Sequence, residues 1–281
     1  TMTLSGVTYD GVNGFSGNGT MSFQPDTTVT VTVKANAGYY APTVTQPAGV
    51  TNWKQTGEYT YTFTMGTQNV TVKAESKAIP KVTFNDGTSA GGTTAVIKVN
   101  GNAVANGALV LPGDEVEVTV SAKGNYYKPT LEISGAGFTG TGTAANDKRT
   151  YTFTMGTSPV TLTGKATEKP HLLFSKDNNC SLNVTVGGKT IDTTKAYYLL
   201  PDTVVTITVT NNNACESKLN GWIKYYWNYP TVSITGTATL SDPNKPNSPS
   251  SGVKLKAVYT LTVTATTGEI KVSAVGATKW G

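Results

Sequence analysis

Histidine occurs once in the 281 residues, at position 171, and arginine once, at position 149. That scarcity excludes a good deal. A hydrolytic triad needs a histidine base; His171 follows Pro170 at the head of a strand pattern, where a related segment carries Lys81, so it reads as structural. Charged residues make up only 14% of the chain, with a net charge of +5 from lysines scattered singly. A nucleic-acid-binding surface gathers its basic residues into a stripe, so no nucleic-acid partner is expected. No apolar run approaches the roughly 18 residues needed to cross a bilayer as a helix, and no longer stretch repeats its apolar residues at the helical period. The carboxylates fall at turns (Asp26, Asp114, Asp202) or singly on strand patterns (Glu117, Glu132), unlike the facing pair of glycoside chemistry. No glycine-rich stretch precedes a helix to cradle phosphate. The expectation is a protein that is not an enzyme and needs no cofactor and no metal.

Cysteine is also rare. Cys180 and Cys215 both lie in the last third. An isolated pair in a chain so poor in histidine reads as a disulfide rather than a metal site, contributing roughly 3–4 kcal/mol by loop entropy. Two buried free thiols are the alternative.

What the chain has is threonine, 51 residues of it, with 30 glycines. Threonine and valine suit a pleated, half-buried backbone and glycine supplies turns, so the composition points to strands. Self-similarity then organises the whole chain. The first block, FQPDTTVTVTV at 23–33, aligns without gaps to VLPGDEVEVTV at 110–120 and LLPDTVVTITV at 199–209. Proline opens a turn, the adjacent acid can bond back to the backbone, and the alternation that follows gives one buried and one wet face. A second block is GYYAPTV at 38–44, NYYKPTL at 125–131 and, after an insertion carrying Cys215, YWNYPTV at 226–232. A third is a hairpin: YTYTFTMGT at 59–67 with NVTVKA at 69–74, then YTFTMGT at 151–157 with PVTL at 159–162. In the third copy only its second strand is legible, as GVKLKA at 252–257, after a Pro/Ser/Asn-rich loop.

The hairpin block resembles the divergent internalin-type B-repeat, a bacterial-repeat module of bacterial surface proteins. Met65 and Met155 sit where that family places its methionine, while Gly66 and Gly156 stand where it usually has proline. The resemblance implies an extracellular or cell-surface spacer, adhesive or structural role and no catalysis.

The expected fold is therefore all-β, with three tandem antiparallel β-sandwich modules, Ig-like in general architecture. Their boundaries are 1–79, 80–169 and 170–258, the third with the insertion and the disulfide, followed by extra strands at 259–281. Copies two and three open with a strand, KVTF at 81–84 and HLLF at 171–174, that copy one lacks. The extra strands, with Tyr259, Leu261 and Val263 on one and Ile270, Val272 and Val275 on the next, read as the start of a fourth copy.

A module short of a strand exposes a ladder edge that invites another chain, and donating the extra strands at 259–281 into the first module of the next subunit builds an open head-to-tail filament. The expected function is thus a subunit of a secreted, cell-surface fibre whose main partner is itself; an opening residue Thr1 suits removal of a signal peptide. A piece of a longer repeat array would show the same mismatch between its ends. The alternative function is a carbohydrate- or host-binding adhesin segment, in which Trp222, Tyr225 and Trp227 form a platform for polysaccharide or host glycan, or an interface.

Overall fold

The structure is a computed structural model, which describes residues 2–5, 15–16, 19–87, 91–135, 147–215, 228–250 and 252–277; every regular element in them is a strand. The first unit comprises β1 (Met2–Ser5), β2 (Phe15–Ser16), β3 (Thr28–Val33), β4 (Tyr39–Thr45), β5 (Thr51–Gly57), β6 (Thr60–Thr64) and β7 (Lys73–Ala78). These make a five-stranded sheet, ordered β2-β1-β3-β6-β5, packed on a two-stranded sheet β4-β7.

The second unit follows with β8 (Lys81–Asp86), β9 (Thr93–Val99), β10 (Asn102–Val104), β11 (Ala108–Leu109), β12 (Glu115–Ala122), β13 (Tyr126–Ser134), β14 (Lys148–Thr154) and β15 (Val160–Glu168). Its two four-stranded sheets are ordered β10-β9-β12-β14 and β11-β8-β15-β13. The third has β16 (His171–Lys176), β17 (Cys180–Val186), β18 (Lys189–Thr190), β19 (Tyr197–Tyr198), β20 (Val204–Asn211), β21 (Thr231–Thr235), β22 (Ala238–Leu240), β23 (Lys256–Val263) and β24 (Glu269–Val275). Its sheets are ordered β18-β17-β20-β23-β22 and β19-β16-β24-β21.

The central strands show why these sequences fold so. β3 (TVTVTV), β12 and β20 alternate valine or isoleucine with threonine or glutamate; Val29, Val31, Val116, Val118, Val205 and Ile207 are completely buried. The period of two sends one set of side chains into each core. Three separate clusters of buried residues result, one per unit.

Each central strand is entered through the same turn. Pro25-Asp26, Pro112-Gly113 and Pro201-Asp202 put proline first and a residue of positive φ second, at 64°, 96° and 64°. That is a type II turn, closed by Thr27 N–H to Gln24 O, Asp114 N–H to Leu111 O and Thr203 N–H to Leu200 O. The second residue's own N–H reaches across the sheet to Met65 O, Met155 O or Val263 O.

This last bond corrects the boundaries read from the sequence. Val263 occupies the place of Met65 and Met155, so YTLTV at 259–263 is the third copy of the closing hairpin's first strand, and β24 is its second. The segment 252–257 is therefore not the hairpin's second strand, and residues 259–275 are not a fourth copy. They complete the sheets of the third unit, with Leu261, Val263, Ile270 and Val272 all at 0% exposure.

One pairing departs from an all-antiparallel sandwich. In the second unit β8 runs parallel to β15, and in the third β16 runs parallel to β24. The opening and closing strands of a unit lie side by side, so the rest of the unit serves as the long crossover that a parallel pair requires.

Candidate functional site

The parallel position exposes what distinguishes the first unit. In the second, Val82 of β8 lies opposite Val160 and Phe84 opposite Leu162; in the third, Leu172 of β16 lies opposite Ile270 and Phe174 opposite Val272. In the first unit, β4 pairs with β7 as β13 pairs with β15, which makes Val70, Val72 and Ala74 the counterparts of Val160, Leu162 and Gly164. Among the described residues no strand lies on the far side of 70–74.

The consequence is visible residue by residue. Val160 is 1% exposed and Leu162, Ile270 and Val272 are 0% exposed, whereas Val70 and Val72 are only half-buried. Met155 is buried and Met65 is not. Strand β15 starts at Val160, but its counterpart β7 starts only at Lys73, three residues further along the repeat. A groove of about 280 Å³ lies between the sheets here, lined by Leu4, Met21, Phe23, Phe63, Met65 and Val72 among others. Among the described residues the site is thus the outer edge of β7 with no neighbouring strand, continued by residues 70–72 that join no ladder, above an apolar slot. Such an edge can bind by hydrogen-bonding an added strand.

The residues expected to supply that strand from this chain are not free to do so. Tyr259, Leu261 and Val263 lie on β23, paired with β20 along its length, and Ile270 and Val272 lie on β24 between β16 and β21. Val275 also lies on β24, with its side chain exposed. Withdrawing either strand would open the third core, so Tyr259, Leu261, Val263, Ile270 and Val272 are corrected from donors to core, and Val275 to the outer face of β24.

The disulfide is corrected as well. Cys180 and Cys215 are buried free thiols. Cys180 opens β17 as Thr93 opens β9, and the two strands share one burial pattern. Thr93 donates through its hydroxyl to Asp86 Oδ1 at 2.8 Å and through its N–H to Oδ2 at 3.1 Å. Cys180 Sγ likewise donates to Asp177 Oδ1 at 3.3 Å. The position needs a small buried donor facing the end of the opening strand, and the thiol fills that role. Burial, then the Asp177 carboxylate, pushes the Cys180 thiol up to about 11. Burial would raise Asp177, but the Gly276 and Asn179 N–H groups, each 3.0 Å from Oδ1, and the thiol hold it below the usual carboxylate range. Cys215 sits in a connection held by its N–H to Val253 O and by Gly252 N–H to its own carbonyl.

The His171 ring packs against Tyr198 with centroids 4.9 Å apart and planes tilted by 40°, its Nε2 3.7 Å from Glu269, which places it in the wall of the third unit. Trp222, Tyr225 and Trp227 lie outside the described residues. Among the described residues no group of three or more His, Cys, Asp or Glu converges as metal ligands would, and no helix is long and apolar enough to span a membrane. Sequence reasoning missed the Asp86–Thr93 and Asp177–Cys180 pairs and the half-buried Val70 and Val72. The missing strand was a signal for the valines; the pairs emerge only once the strands are in register. A scan of protein-family models and a search of curated proteins return no match to this chain.

Proposed function

We propose that this chain is a non-enzymatic structural element of an extracellular, cell-surface fibre or stalk, joined to its neighbours by strand addition at the first unit. The observation that carries the proposal is the edge at 70–74, which among the described residues has no neighbour where the second and third units place β8 and β16. Two-residue links join the units: Ile79-Pro80 between β7 and β8, and Lys169-Pro170 between β15 and β16. Proline restricts both links. Their amides are tied back, Ile79 N–H to Gly38 O at 2.8 Å and Lys169 N–H to Asn125 O at 2.7 Å, and Lys169 Nζ donates to Gly124 O. Joints this short and this bonded support a stiff array rather than beads on a string. The likeness of the hairpin block to a bacterial surface repeat supports the extracellular placement.

Small-angle scattering and negative-stain microscopy of the purified chain test the stiffness. A single rod length with a narrow spread of inter-unit angles is expected, and a broad spread would refute it. Antibody against the chain should label intact source cells; labelling only after lysis would refute the surface placement.

A further inference from the structure

Resting on that reading, we propose that the first unit binds an extended segment of a separate polypeptide, added parallel to residues 70–74. Two alternate apolar side chains of the segment, the second aromatic, enter the groove between the sheets. The other two units are the template. Each fills the corresponding position with a strand of one pattern: Lys81-Val82-Thr83-Phe84 in β8 and His171-Leu172-Leu173-Phe174 in β16. In each, the second residue is fully buried (Val82 and Leu172, 0% exposed) and the phenylalanine packs against the core.

The first unit keeps the complementary features. Val70 and Val72 keep apolar side chains where Val160 and Leu162 stand beside Val82 and Phe84 in the second core. Ala74 remains small where Gly164 and Ala274 are small, and the size limit has a cause. A Cβ on Gly164 would stand 2.8 Å from the Phe84 ring and 2.5 Å from the Thr93 hydroxyl. The third unit carries that Cβ, as Ala274, in the same buried cluster that Phe174 packs against, so Ala74 admits an aromatic ring in the third unit's arrangement.

The described strands of another copy are excluded as the occupant. All strands of the second and third units are committed to their own sheets, and removing β8 or β16 would expose a core. The occupant is a strand outside these elements, uncharged at its two inward positions and bonded in the parallel sense.

The probe is a fluorescein-labelled peptide of residues 79–87 of this chain, IPKVTFNDG, added to the full chain and followed by anisotropy. Saturable binding is expected, with amide-exchange protection at 70–74 and at least tenfold weaker binding of the F84D peptide. A spin label at the peptide's N-terminus should broaden signals near Val70 more than near Ala78. A second chain carries residues 79–92 grafted ahead of Thr1, which fills the groove without altering any core residue. It should melt at higher temperature and no longer bind the peptide. Equal binding of the wild-type and F84D peptides, an antiparallel label pattern, or stabilisation by the tethered strand with no binding of the free peptide would each overturn the proposal. A stiff rod that takes no peptide defeats this inference alone, and peptide binding by a chain with loose joints defeats only the rod.

Discussion

The Tyr127 hydroxyl of the second unit donates a 2.7 Å hydrogen bond to the carbonyl of Thr266, in the turn between β23 and β24 of the third. Tyr127 is 2% exposed and Thr266 is exposed, so the bond runs from a buried ring to the rim of the joint. Its counterpart Tyr40 lines the cleft between the first and second units with Thr157 and Pro159. Repeat position thus determines which side chain meets the next unit, and the second tyrosine of the YY block belongs to the joint. Replacing Tyr127 with phenylalanine keeps the ring and removes the bond, at a cost of about 0.5–1.5 kcal/mol. The variant should fold normally yet show faster amide exchange at Lys169 and His171 and a broader scattering distance distribution. Exchange unchanged at both amides would show that the bond does not hold the joint.

The type II turns set up a comparison within one chain. Asp26 and Asp202 adopt φ of 64°, a region that favours glycine, while the second copy already has Gly113 there, at 96°. Exchanging Asp202 for glycine relieves strain in the folded state but frees the unfolded chain, and the net expectation is a gain of about 0.5–1 kcal/mol. A Cβ on Gly113 meets nothing within 4 Å, so Gly113→Ala isolates the backbone cost, about 1 kcal/mol of destabilisation. Chemical denaturation of the two variants checks both signs.

The turn-and-strand blocks were legible because a proline, a polar turn residue and strict alternation leave a pattern that survives substitution. The third closing hairpin was not legible. Leu261 and Val263 replace the Phe and Met of the other copies, and a loop at 242–250 separates the strand from its expected place. What identifies Val263 is a backbone bond from Asp202, which leaves no trace in side-chain identity. The cysteines misled for a related reason. Thr93 and Cys180 are unlike as letters and alike as small donors to a carboxylate, an equivalence that only register reveals.

Because β23 and β24 complete the third unit, truncation has a defined outcome. A chain ending at Val258 loses Tyr259, Leu261, Val263, Ile270 and Val272 from one core cluster, and the third unit should unfold while the first two remain cooperative. The milder change Ile270→Ala should cost about 2–5 kcal/mol through the lost side chain and the cavity it leaves. Calorimetry should show one transition lost in the truncation and one lowered in the point variant. A full set of transitions in the truncated chain would mean that the third core closes without this hairpin.

Cys180 ties chemistry to stability. With its thiol held protonated to about 11, the folded protein should react slowly with iodoacetamide at pH 8, because the thiolate is the nucleophile. Intact mass before and after reduction should be identical, as two free thiols require. The pH dependence has a definite sign. The unfolded chain gives up this proton near the ordinary value of 9.0, so above about 9 it binds fewer protons than the folded chain. Stability should therefore fall as pH rises from about 9 to about 11, by up to about 3 kcal/mol. Cys180→Thr, which copies Thr93, should keep the bond to Asp177 and lack this alkaline loss, whereas Cys180→Ala should be less stable at neutral pH and equally free of it. If the threonine variant showed the same alkaline decline as the parent, the decline would belong to other groups.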